Sequence, residues 1–219
     1  MRTTLDHWLR LCAAFPEARN STSWHTRLVT AYSEPQRAYH SLQHLEECLT
    51  FCDEARHAGH LHAPDELELA FWLHDAVYDP KGGDNEEQSA ALAAEMLGDT
   101  PQAQRVADLI MLTKKHQPGA GPDDAWMIDI DLAIFAHPLP RVLEYERQIR
   151  EEYAWVADDV YLTKRREVLA GFLARPRIYL TDFFHQHHEP QARRHLAALI
   201  VQLDDAIGKA SRHHVSPTP

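Results

Sequence analysis

Apolar residues recur at three- and four-residue intervals through nearly every long segment of this chain, and breaks containing proline or glycine separate the segments. That period is the mark of helices with one buried face. Leu5, Trp8, Leu9 and Cys12 form such a stripe over 4–15, and Trp24, Leu28 and Ala31 repeat it over 23–32. A third helix is expected over 39–58. A fourth should begin at Pro64, a residue suited to the first helical turn, and run to residue 77. Asp84 or Asn85 can cap a fifth helix ending at Leu97, and Thr100-Pro101 is a good start for a sixth ending near His116. Asp123 or Asp124 can cap the segment that carries Asp129 and Asp131. Further helices are expected over 139–157, 163–174 and 189–207, with Pro138 and Pro140 read as a kink. No strand pattern and no internal repeat stands out. The expectation is an all-α fold, one helical domain over 1–210, and a flexible tail over 211–219.

Composition narrows the function. With 219 residues and 44% hydrophobic content the chain suits one compact core. No apolar stretch approaches the roughly 20 residues that cross a bilayer. The opening Met1-Arg-Thr-Thr-Leu-Asp-His7 lacks the layout of a signal peptide, so a cytoplasmic protein without a membrane partner is expected. The three cysteines, Cys12, Cys48 and Cys52, are odd in number, and two stand four residues apart, so reduced thiols are expected. A net charge of −11 argues against a broad basic surface for duplex nucleic acid. It leaves room for a small phosphorylated ligand in a local positive pocket. Of the 16 histidines, those at 187–188 and 213–214 read as solvated.

The apolar run Glu68-Leu-Ala-Phe-Trp-Leu-His-Asp-Ala-Val-Tyr78 encloses a His74-Asp75 doublet. Burying an imidazole beside a carboxylate costs several kcal/mol unless something offsets it, and a bound cation does so readily. His40 and His44 lie upstream and Asp129 and Asp131 downstream. Two nitrogens from His40 and His74, with oxygens from Asp75 and Asp131, suit a divalent ion such as Mn, Fe, Co, Ni, Zn or Mg. Open positions on such an ion would admit water and a substrate oxygen, the requirement for phosphoester hydrolysis. Taken singly, each residue is more ordinary: His40 on a helix surface, and His74 a core histidine bonded to Asp75. On a helix over 39–58, His40 and His44 would share a face, and Cys48 and Cys52 would extend that stripe. A zinc site on the stripe is one reading, and buried core thiols are the simpler one.

Six segments stand in order: Tyr39-His-Ser-Leu-Gln-His44, Leu73-His-Asp-Ala-Val-Tyr-Asp79, Asn85-Glu-Glu-Gln-Ser-Ala90, Thr113-Lys-Lys-His116, Asp129-Ile-Asp-Leu132 and Ile149-Arg-Glu-Glu-Tyr153. With Arg37 ahead of them, they resemble the HD-domain superfamily of metal-dependent phosphohydrolases. The resemblance is closest to a bacterial branch without an assigned substrate, and runs from about Trp24 to His195. The sequence departs from the branch at Ser41, where asparagine is frequent, at Leu73, where an aromatic residue is usual, and at His195. The resemblance implies an HD-type helical bundle and the ligand set His40, His74, Asp75 and Asp131, with Asp131 favoured over Asp129 because an apolar helix follows it. It implies hydrolysis of a small phosphomonoester or nucleotide. Glu86 and His116 are the candidates for proton transfer, and Lys81, Lys114, Lys115 and Arg150 for holding phosphate. Glu86 at a helix start and His116 at a helix end also have plain structural readings. His44 is left between an added ligand, an orienting group and a packing residue. Two other readings compete: a di-iron oxygenase drawing on His44, His116 and Asp129, and a non-catalytic sensor that binds a nucleotide.

Overall fold

The computed structural model describes the backbone of residues 1–213 and the side chains through Ala210. The described residues are helical throughout, with no strand among them, as the periodicity predicts. They form two compact units, Met1–Asp131 and a second beginning at Leu132. No helix among them is long and apolar enough to cross a membrane. The tail expected over 211–219 lies outside the described residues, apart from the helical backbone of 211–213.

The first unit contains α1 (Leu5–Cys12), α2 (Ser21–Ala31), α3 (Leu42–His57), α4 (Pro64–Leu73), α5 (Asn85–Leu97), α6 (Pro101–Thr113) and α7 (Asp124–Asp131). Helix α4 is its centre. All residues from Leu67 to Leu73 are buried, six of them apolar, and the one acid, Glu68, is paired with His7 and Arg56, so this stretch belongs inside the core. It packs against α3, α5, α6 and α1, while α7 closes on α3 and α6. Burying side chains such as Leu69 or Phe71 contributes about 1.5–3 kcal/mol each. Trp72 meets Trp8 edge to face, with centroids 4.9 Å apart. Local signals set several boundaries. Pro64 opens α4, and Thr100 caps α6 by accepting from the Ala103 amide at 3.1 Å.

Three sequence expectations differ here. Helix α3 begins at Leu42 rather than residue 39, because Ser41 is extended (φ −120°, ψ −178°) and His40 lies in the turn before it. Helix α4 ends at Leu73, so the His74-Asp75 doublet sits in the turn at its end rather than inside the helix. Asp123 spends its carboxylate on the amides of His62 and Ala63, 2.9 and 2.7 Å away, and so pins the entry to α4.

The second unit contains a short 3-10 helix (Leu132–Ala136), then α8 (Leu139–Glu152), α9 (Asp158–Leu173), α10 (Asp182–His187) and α11 (Glu189–His213). Pro138 and Pro140 begin α8 instead of kinking a helix, the placement in which a missing amide proton costs nothing. α9 and α10 pack on α11. The Tyr179 hydroxyl donates to the Leu132 carbonyl at 3.1 Å, and Glu189 is buried beneath the 178–179 backbone.

Candidate metal centre

Three elements of the first unit bring their polar side chains to one place. His44 projects from the first turn of α3, His74 and Asp75 from the end of α4, and Asp131 from the last residue of α7. The two imidazoles are buried, and the carboxylates are largely so. His44 Nε2 lies 3.2 Å from His74 Nε2 and 3.2 Å from Asp131 Oδ1. His74 Nε2 lies 3.0 Å from Asp75 Oδ2 and 3.5 Å from Asp131 Oδ1. His44 Nε2 is 3.6 Å from Asp75 Oδ2. Separations of this size are those of donors that each lie about 2.0–2.2 Å from a common ion.

The tautomers sharpen the point. His74 Nδ1 lies 2.8 Å from the Phe71 carbonyl, which can only accept, so Nδ1 carries the proton and the neutral ring turns its Nε2 lone pair inward. Two imidazole nitrogens then face each other across 3.2 Å, flanked by carboxylate oxygens. Such a set demands a cation between its members, either protons or a metal. Burial opposes protonation of His74, yet the Asp75 charge and the bonds to Asp131 and Asp75 outweigh it and raise its pKa well above the ordinary imidazole range. Burial likewise opposes ionisation of the two aspartates. The His74 charge holds Asp75 below the ordinary carboxylate range, and bonds from His116, His44 and His74 do the same for Asp131.

The surroundings fix the donors in place. Arg37, buried, donates to the carbonyls of His40 (3.1 Å), Asp75 (2.5 Å) and Ala76 (3.1 Å), and its Nε pairs with Glu34 at 3.0 Å. One guanidinium thus ties the turn carrying His40 to the backbone of the doublet. The Tyr32 hydroxyl accepts from the Asp75 amide and donates to the Phe71 carbonyl, both at 3.3 Å. His116 Nε2 lies 2.8 Å from Asp131 Oδ2, the oxygen not turned toward the imidazoles. His116 adopts φ +48°, a left-handed conformation that side chains rarely take, and strain of this kind gathers at functional sites.

The residues expected from sequence are distributed as follows. His74, Asp75 and Asp131 converge. His40 is half-buried beside them: its charge helps lower the Asp75 pKa, it stacks on Tyr78 with centroids 4.1 Å apart, and its ring centroid is 6.1 Å from that of His44. Asp129 is fully buried. Glu86 lies in the first turn of α5, 3.9 Å from Lys114 Nζ. Lys114 is engaged with Glu87 and the Gly83 carbonyl, while Lys81 and Lys115 are exposed. Arg150 is committed within the second unit to the carbonyls of Tyr153 and Val156 and to Asp158, and lies over the Tyr161 ring. Sequence reasoning did not single out Tyr32 or the three-carbonyl grip of Arg37, since backbone acceptors leave no trace in residue spacing. It left His44 undecided, and the placement of that residue makes it central.

Beside the doublet lies a cavity of about 360 Å³, walled by Ala76, Val77 and Tyr78 and rimmed by Gln36, Asn85 and Gln88. Tyr78 is shared: its ring both lines the cavity and stacks on His40. No family model matches this chain, and no curated protein or solved structure matches it.

Proposed function

We propose that this chain is a metal-dependent phosphohydrolase acting on a small phosphomonoester or nucleotide. The observation that carries the reading is the buried meeting of His44 and His74 Nε2, 3.2 Å apart, with oxygens of Asp75 and Asp131 around them. In this reading His44, His74, Asp75 and Asp131 hold one divalent ion. Bound there, such an ion would supply acidified water and would offset charge on a phosphoryl group.

The chain's own residues do the rest. His116 grips the outer oxygen of Asp131 and so keeps the inner oxygen on the imidazoles. Arg37 and Tyr32 hold the doublet's backbone in register. His40 stands beside the cluster, its position set by the Tyr78 ring and its charge acting on Asp75, and would join the ligand set from there. Glu86, in the first turn of α5, would be the proton acceptor in this reading. The cavity next to Tyr78 has amide and acidic lining groups and no Lys or Arg among them, which suits the uncharged organic part of a substrate rather than its phosphate. The ordered segments that resemble HD phosphohydrolases support the choice of phosphate ester over other hydrolyses.

The test pairs elemental analysis of the purified chain with a phosphate-release screen over nucleotides and sugar phosphates. A stoichiometric divalent metal together with release from at least one phosphate ester is expected. Absence of both would overturn the reading.

A further inference from the structure

Asn85 and Ser89, from one of the ordered segments, have no role in the chemistry above. They stand four residues apart on α5 and so share a face. Each takes both backbone groups of one residue in the chain that leaves the doublet. The Ser89 hydroxyl accepts from the Val77 amide at 3.1 Å and donates to the Val77 carbonyl at 3.3 Å. The Asn85 side-chain oxygen accepts from the Asp79 amide at 3.1 Å, and its nitrogen donates to the Asp79 carbonyl at 2.9 Å.

Asparagine and serine near a helix start ordinarily serve the helix's own amides. These two serve another segment instead, and the spacing explains how. Four helical residues advance about 6 Å, close to the roughly 6.6 Å of two residues in extended chain. Alternate residues of such a chain turn their amides and carbonyls to one side. The face of α5 therefore grips 77 and 79 as a neighbouring strand would. Gly82 leaves room for the grip, because a Cβ there would meet the Asn85 side-chain oxygen at 2.8 Å.

Between the two held residues stands Tyr78, whose ring lies against that of His40 with centroids 4.1 Å and planes 25° apart. Arg37 already holds the carbonyls of Asp75 and Ala76. Side chains thus hold the carbonyls of 75, 76, 77 and 79, and Tyr78 is carried by the last two. We propose that Asn85 and Ser89 are positioning residues of the metal centre: they fix Tyr78 and, through its ring, the imidazole of His40. The inference rests on reading the cluster as a metal centre that His40 joins.

Proton–carbon spectra of the metal-free full-length chain, labelled in its histidine rings and held at one pH, test the grip. The His40 signal is identified by its loss in His40→Gln. It should lie upfield of exposed His57, shielded by the face of the Tyr78 ring. In Asn85→Ala and in Ser89→Ala it should move at least about halfway toward His57, while Tyr78→Phe, which keeps the ring, should leave it in place. Zinc affinity should fall about tenfold in Asn85→Ala, the lower end of what an outer partner of a ligand contributes. A His40 signal unmoved in both variants would overturn the grip. A moved signal with unchanged zinc affinity would overturn its role at the centre and leave the metal reading standing. No zinc bound by the wild-type chain would overturn that reading and this inference with it. Asn85 is half-buried at the start of its helix, so its variant decides the matter even if the buried Ser89 variant fails to fold.

Discussion

Each of the two units buries a charged cluster, and the two are solved differently. In the second unit, Glu189 accepts from the amides of Ile178 and Tyr179, from His185 Nδ1 at 3.1 Å, and from the Arg193 guanidinium, whose nearest nitrogen is 2.6 Å away. Arg193 spends its remaining donors on the carbonyls of Leu173, Arg175 and Pro176. Every charge there is met by the fold itself. In the first unit, Asp75 and Asp131 are met by two imidazoles whose Nε2 atoms face one another. The Glu189 cluster is closed and structural. The His44–His74 cluster needs a cation between its members, either a proton on the imidazoles or a metal ion, and so could hold a metal.

That contrast can be broken most severely at the open cluster. His74→Ala and Asp75→Ala should each abolish metal occupancy and phosphate release, a loss of at least about a hundredfold, because each removes a proposed ligand. Retention of full turnover in either variant, measured beside elemental analysis, would show the site to be elsewhere.

At the closed cluster the effect should fall on stability. Glu189→Ala leaves two buried amides unpaired and takes the counter-charge from the partly exposed Arg193, and should cost about 2–3 kcal/mol by denaturant unfolding. An unfolding midpoint close to wild type would mean that the cluster is not buried as described.

His116 sharpens the comparison, because it belongs to the fold and to the site together. His116→Gly removes the left-handed penalty and the bond to Asp131 at once. Stability should stay within about 1 kcal/mol of wild type while ion affinity falls about 10–100-fold. Loss of stability with unchanged affinity would make His116 structural only.

The two clusters should also answer pH in opposite senses. Burial works against the Glu189 charge, but its amide, histidine and arginine partners lower its pKa below the ordinary range. Its contribution is present above the unfolded-state value of about 4.3 and is lost as pH falls through the lowered folded value. His74 is raised, so in the metal-free chain its contribution is full below about 6.5 and is lost as pH rises through the raised folded value. Ion binding should reverse this upper limb, since protons and metal compete for the same nitrogens. Unfolding curves across pH, with and without chelator, measure both limbs. An upper limb unaffected by metal would detach His74 from the ion.

The helical fold was largely legible because its signals are local. Pro64 and Thr100-Pro101 mark helix starts wherever the chain lies in space, and the apolar run Leu69–Leu73 of α4 announces a core. The segments Leu132–Ala136 and Asp182–His187 escaped notice because elements this short show too little periodicity. At the site, the His74-Asp75 doublet and Asp131 stood out, since charge inside an apolar run needs an explanation. The sequence reads His40 as a ligand and leaves the role of His44 open, because the extended Ser41 that sets His40 in the turn before the helix carrying His44 leaves no mark in residue spacing. Arg150 looked like a phosphate ligand by its motif, yet its donors serve neighbouring carbonyls.

Calorimetric titration of the metal-free chain with zinc near neutral pH, repeated in buffers of different ionisation enthalpy, reaches the central claim most directly. One ion per chain, bound with net release of protons and lost in His74→Ala, is the expected outcome. Saturation without proton release, or binding undiminished by that substitution, would contradict a cation seated between His44 and His74.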